Sequence, residues 1–169
     1  TSVNDIPWIE VLPVVEMDED SYVEFDISGY AYDIENDALT FEITNQNAEQ
    51  VGCGVSNNNI TLIAYPNWTG TAYCSVRAND WQNSSESVTL QINVVNVNDV
   101  PFFTPEIPDL FETNTSTTFN YDVNCSDIDN ELSELRFFDD TTLFNIDSVT
   151  GEINDEPVEA DVGSHTITL

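Results

Sequence analysis

The sequence predicts an all-β protein built from two tandem β-sandwiches, the second lacking its last strand. Three observations lead there: a duplication at a fixed offset, short runs in which apolar and polar residues alternate, and clusters of turn residues between those runs.

The duplication comes first. Val3-Asn4-Asp5-Ile6-Pro7 recurs as Val97-Asn98-Asp99-Val100-Pro101, an offset of 94 (97 − 3). Asp33-Ile34-Glu35-Asn36-Asp37 recurs as Asp127-Ile128-Asp129-Asn130-Glu131, again 94 (127 − 33). Phe25 and Phe119 share that spacing. One matched pentapeptide carries little weight, but two motifs in fixed register mark duplicated domains, here 1–98 and 99–169.

Each copy reads as β. Tyr22–Ile27, Leu39–Ile43 and Val88–Val94 alternate apolar and polar side chains, as do Thr118–Val123 and Ser164–Leu169 in the second copy. A period of two puts alternate residues on one face, which suits a half-buried sheet. Stretches such as Gly52–Asn59 and Asn79–Ser85 read as loops. About seven short strands in about 94 residues is the arithmetic of an immunoglobulin-like sandwich. By that count the second copy's last strand would reach about residue 191 (97 + 94), whereas the sequence ends at Leu169. Either this is a piece of a longer tandem array, or a neighbouring chain supplies the strand, as in donor-strand assembly.

Composition bounds the partners. Apolar residues make up 40% of the 169, enough for a packed core. Thirty-two acidic residues face two basic ones, Arg77 and Arg136, for a net charge of −30. That excludes ordinary nucleic-acid binding and docking on an anionic membrane, since almost nothing is available to neutralise phosphate. No apolar run is long enough to insert into a bilayer. Residues 1–5 carry neither a basic nor an apolar leader, as expected of a mature form or an excised segment.

So many carboxylates need counter-ions, and calcium, a hard ion taking six to eight oxygens in flexible geometry, suits Asp-x-Asp runs. Sandwich topology sorts the candidates. Asp33, Glu35, Asp37 and Asp80 lie at the end where the chain enters the first domain through Asn4-Asp5. Asp18-Glu19-Asp20 lies at the opposite end, expected to face the linker Asn98-Asp99 and the loop carrying Asp127, Asp129 and Glu131. Such a junction should splay apart without cations and stiffen with them. A solvated, salt-adapted acidic surface is the alternative.

These residues resemble a known family. Val95–Phe103 looks like the cadherin inter-repeat linker, and Asp33-x-Glu35 and Asp127-x-Asp129 sit where cadherin repeats carry Asp-x-Asp. Phe144–Ile153 resembles the cadherin stretch ending in an Asp-x-x-Thr-Gly-x-Ile turn. Asn67-Trp68-Thr69-Gly70-Thr71 and Asp161–Thr168 are similar to phrases of microbial cadherin-like surface repeats. The resemblance implies an extracellular, calcium-rigidified, repetitive rod, with Asp5, Asn98 and Asp99 at linkers and Glu19 and Asp20 as bottom-end ligands. The cadherin Leu-Asp-Arg-Glu motif is absent, which leaves that bottom-end set open.

Cys53 and Cys74 both fall in predicted strands of the first copy, and a bridge between them implies an oxidising compartment. Two buried thiols are the alternative. Cys125 is left over. Five glycosylation sequons begin at Asn59, Asn67, Asn83, Asn114 and Asn124, of which Asn124, beside Cys125, is the least accessible. The single histidine, His165, sits in a predicted strand and supplies no zinc cluster or catalytic triad. Trp8, Trp68 and Trp81 read as packing residues rather than a sugar platform. The expectation is a non-catalytic structural or adhesive repeat protein that associates with copies of itself. The alternative is a carbohydrate-binding accessory module of a secreted hydrolase.

Overall fold

A computed structural model describes residues 3–115 and 117–169. The chain divides into two compact units, Thr1–Val97 and Asn98–Leu169.

The first unit contains strands β1 (Trp8–Ile9), β2 (Val15–Asp18), β3 (Tyr22–Asp26), β4 (Ala31–Tyr32), β5 (Thr40–Gln46), β6 (Val51–Ser56), β7 (Asn59–Ala64), β8 (Gly70–Asn79) and β9 (Val88–Val95). They form a four-stranded sheet in the order β2-β9-β8-β5, a three-stranded sheet β3-β7-β6, and the pair β1-β4. Strand β2 runs parallel to β9, while every other pairing is antiparallel. Alternation does its work on both sheets. Along β8, Ala72, Cys74, Val76 and Ala78 turn inward; along β9, Leu90, Ile92 and Val94 do so. These meet Val51, Ile60, Leu62 and Ala64 of the facing sheet in one core, closed by Ile27 and Met17.

The predicted strands at 22–27 and 88–94 are present to within one residue at each end, and the one at 39–43 is present but runs three residues further, to Gln46. The loop expected over Gly52–Asn59 is instead a hairpin. Its only turn residues are Asn57 and Asn58, with Asn57 in the left-handed region at φ 53°. The glycines that suggested a loop, Gly52 and Gly54, occupy β6, where propensity is overridden by pairing with β7, and Asn59 opens β7 itself. The Cys53–Cys74 disulfide forms, joining β6 to β8 across the sandwich with Cα atoms 6.5 Å apart.

The second unit repeats the layout in part. Strand β10 (Phe102–Phe103) pairs with β12 (Cys125–Ser126), and β11 (Phe119–Asp122) pairs with β13 (Glu152–Asp155). The β10–β12 pair is the β1–β4 pair displaced by 94 residues (102 − 8 and 125 − 31). Its core is small: Val123, Phe137 and Ile153, with Phe103, Phe119, Tyr121 and Leu169 packed around them. Ser164–Leu169 is not a strand, contrary to its alternating pattern. A strand exists only where a neighbour pairs with it, and among the described residues this segment makes a single backbone-to-backbone bond, Asp140 N–H to Thr168 O at 3.2 Å, beside the Thr168 amide's bond to Asp140 Oδ1. No strand follows β13 among the described residues.

Gly151 ends the Asp147–Gly151 turn at φ 76°, and a Cβ there would run into the Val123 carbonyl and the Phe137 ring. Replacing it with Ala should therefore melt the second unit selectively, costing more than about 1 kcal/mol. Hydrogen exchange would show protection lost around β11 and β13 but kept in β8 and β9. Replacing both Cys53 and Cys74 with Ala should lower the first unit's stability by about 3 kcal/mol, given a 21-residue separation. Urea melts of the two proteins measure it.

Candidate metal centre

Carboxylates dominate the loops, and the described residues pair only one of them with a cation, Glu42 with Arg77 across β5 and β8. Arg136 instead donates to the Ser133 and Leu135 carbonyls. Backbone N–H groups take the place of basic side chains.

At the amino-terminal end of the first unit, the Asp5 amide donates to Glu35 Oε2 at 3.2 Å. Asp33 Oδ1 accepts the Asp37 amide at 3.0 Å, while Asp33 Oδ2 is buried with no hydrogen-bond partner. Asp37 itself is exposed and contributes its amide. Asp80 is only 2% exposed and both its oxygens are engaged. Oδ1 accepts the Gln82 and Asn83 amides at 2.8 and 2.6 Å, and Oδ2 accepts the Asn4 side-chain amide at 2.9 Å. These bonds, from Asn83 first and Asn4 next, hold the Asp80 carboxyl below its ordinary pKa of 3.8.

The second unit builds the same arrangement 94 residues later. The Asp99 amide donates to Asp129 Oδ2 at 2.5 Å, as Asp5 does to Glu35. Asp127 Oδ1 accepts the Asp129 and Asn130 amides, both at 2.8 Å, while Asp127 Oδ2, like Asp33 Oδ2, is buried without a partner. Asn98 donates its side-chain amide to the Asp99 carbonyl. Glu131 is exposed, its amide bonded to Glu134. Residues Cys125–Leu132 line a polar pocket of about 280 Å³. Burial, then the Asp127 charge, raises the pKa of the Cys125 thiol. It therefore stays protonated at neutral pH.

Glu19 lies at the other end of β9. It is 3% exposed; its amide donates to the Val95 carbonyl at 3.0 Å, and its Oε1 accepts the Val97 amide at 3.0 Å. Asp20 beside it is exposed, in a left-handed turn at φ 55°.

Among the described residues, no three carboxylate, imidazole or thiol groups are gathered tightly enough to cage an ion. The donor chemistry nonetheless fits a hard cation. Oxygens predominate, and a buried carboxylate oxygen lacking a donor costs on the order of 1–3 kcal/mol unless something positive meets it. Sequence reasoning placed Asp33, Glu35, Asp127 and Asp129 but passed over Asn4. Its amide joins Asp80, and its Oδ1 accepts Gln82 Nε2 at 2.8 Å. The repetition of Asn4-Asp5 as Asn98-Asp99 was the available signal.

Of the sequon asparagines, Asn59, Asn67, Asn114 and Asn124 are exposed, so Asn124 is not hidden by its neighbour Cys125. Asn83 is half-buried and its Ser85 hydroxyl is buried, accepting the Ala78 amide. Ser116, completing the Asn114 sequon, lies outside the described residues. The tryptophans also separate. Trp68 packs against the first core, and Trp8 stacks on Tyr32 with centroids 5.5 Å apart. Trp81, expected to pack, is 81% exposed.

Asp80→Asn keeps the side-chain size but removes the charge that three donors address. It should lower the melting temperature at neutral pH. A depressed carboxyl pKa contributes stability above the unfolded value of 3.8 and loses it as pH falls through the folded value. The gap between wild type and variant should thus close in acid, as thermal melts across pH would show.

No curated protein matches the chain. Among solved structures it is similar to the first two extracellular repeats of human protocadherin-24, at 18% identity and TM-score 0.54, covering 94% of this chain and 82% of that one. It is also similar to the human desmocollin-1 ectodomain, at 14% identity and TM-score 0.56, covering 90% and 34%. An endo-fucoidan hydrolase of glycoside hydrolase family 107 aligns at 16% identity and TM-score 0.47, and this chain spans 25% of its length. At such identities the likeness to the protocadherin and desmocollin structures shows fold alone, tandem cadherin-like and immunoglobulin-like sandwiches. The sequence model of the bacterial Ig domain matches residues 4–93, more than half of the 169, and the chain belongs to that family.

Proposed function

We propose that this protein is an extracellular structural or adhesive segment, a calcium-rigidified stalk or filament subunit that works with copies of itself. The observation that carries this reading is the repeated carboxylate arrangement: Asp5 N–H on Glu35 and Asp99 N–H on Asp129, each beside an Asp, 33 or 127, with one buried oxygen lacking a donor. Calcium bound there would supply the positive charge those oxygens face. In the first unit Asp33 and Glu35 would hold it, joined by Asp5; in the second, Asp127, Asp129 and Asp99, with the Asn98 amide oxygen. Glu19, Asp20, Asp37, Asp80 and Glu131 would be supporting oxygens. The disulfide favours an oxidising, extracellular setting, and no helix among the described residues is long and apolar enough to cross a membrane. The acids of the repeated arrangement accept backbone amides, and the one histidine bonds the Asp161 carbonyl, uses that suit a structural part.

Exposed Trp81 favours a second reading, a carbohydrate-binding accessory module of a secreted hydrolase.

Calcium should raise the melting temperature and a chelator should lower it. Asp127→Asn with Asp129→Asn should remove the second unit's share of that response, leaving the first unit's share to be removed by Asp33→Asn. A melting temperature indifferent to calcium would reduce these carboxylates to surface charge.

A further inference from the structure

The loop joining β8 to β9 holds Trp81 in a position that packing does not explain. The residue is 81% exposed, and its backbone sits at φ 77°, a region that bulky side chains rarely adopt. The loop is not slack. Asp80 accepts the Gln82 and Asn83 amides and returns its own amide to the Asn83 carbonyl at 3.1 Å. Asn79 and Ser84 close the base of the loop through a β-bridge. Gln82 Nε2 reaches Asn4 Oδ1, so two primary amides flank the turn. A glycine would serve the turn better than tryptophan, and a smaller polar residue would serve solubility better. Strain and exposure together on a rigid loop mark a residue kept for contact.

We propose that Trp81 is the stacking platform of a shallow subsite for a neutral pyranose sugar. Sugar rings present C–H faces that lie flat on an indole, and their hydroxyls match the Oε1 acceptor and second Nε2 hydrogen of Gln82, whose other Nε2 hydrogen is held by Asn4. The ligand is neutral because Asp5, Asp33, Glu35 and Asp37 at the same end of the unit, in a chain of net charge −30, repel an anionic glycan. The proposal rests on the second functional reading and not on calcium. A site with one stacked ring and one amide binds weakly, with Kd of about 0.1–10 mM.

Labelling the full chain with fluorotryptophan places one fluorine probe at each of the three tryptophans, and the single-tryptophan variants assign the lines, which makes the test residue-specific. Cellotriose, mannotriose and xylotriose are titrated separately at millimolar concentration, with calcium and again with chelator. The expected result is a saturable shift of the Trp81 line for at least one sugar under both conditions. Trp81→Gly should abolish binding seen by saturation-transfer NMR while leaving the melting temperature unchanged or higher, because glycine accepts φ 77°. Trp8→Ala should still bind. Three results would overturn the proposal: no line moving with any of the sugars, the Trp8 or Trp68 line moving in place of Trp81, or Trp81→Gly binding as wild type does. The chelator arm keeps this outcome separate from that of the calcium reading.

Discussion

Thirty-two carboxylates and two guanidinium groups leave this chain one abundant positive partner of its own, the backbone N–H. Asp26 accepts the Ser28 amide, Asp139 the Thr141 amide, Asp147 the Val149 and Thr150 amides, and Asp161 the Val158 amide. Asp80 and Asp127 each gather two on one oxygen. Each such bond folds a turn and stabilises the charge, so the acids shape the loops. The lowered pKa of Asp26, Asp80, Asp140 and Asp147 has this cause in every case. A lysine-rich protein would settle its acids with flexible side chains; here they are settled by rigid turns.

The two units differ in what else supports them. In the first, two sheets share a core that runs from Ile9 to Val94, and the Cys53–Cys74 bridge ties the sheets together. In the second, three buried residues and two two-stranded pairs hold the unit, and Asx turns carry proportionally more of its order. Each unit holds two acids with a lowered pKa, Asp26 and Asp80 in the first and Asp140 and Asp147 in the second, so with less apolar burial behind them the same charge–amide bonds make up a larger share of the second unit's stability.

Much of this was legible in the residues, and what was not has physical causes. Duplication at 94 foretold the matching β1–β4 and β10–β12 pairs, since paired motifs in register fix paired geometry. Period-two alternation located β3, β5, β9 and β11. The same rule failed at Ser164–Leu169, where a suitable pattern meets too few backbone partners to make a strand. It failed in the other direction at Gly52–Ser56, where a pattern poor in side chains is held as strand by β7. Asp33, Glu35, Asp127 and Asp129 were readable as a repeated acidic motif. The role of Asn4 was not, because its Asp80 partner is 76 positions away. Trp81 was misread because exposure at that position depends on a left-handed turn, and turn handedness is set by Asp80's amide bonds rather than by the residue itself.

The amide supply also explains why charge alone does not make the acidic turns equivalent. Monovalent salt screens exposed charges beyond a Debye length of roughly 8 Å at physiological ionic strength, and most of the surface acids here are served by that. Screening does nothing for an oxygen with no solvent contact. Asp33 Oδ2 and Asp127 Oδ2 are such atoms, each on a carboxylate whose other oxygen already faces an amide. A diffuse ion atmosphere cannot reach them, whereas a directly coordinated cation or a donor brought within bonding distance can. The distinction between a salt-adapted surface and a cation-binding repeat thus narrows to one oxygen in each unit. Both oxygens stand at the same place in the duplicated sequence, 94 residues apart.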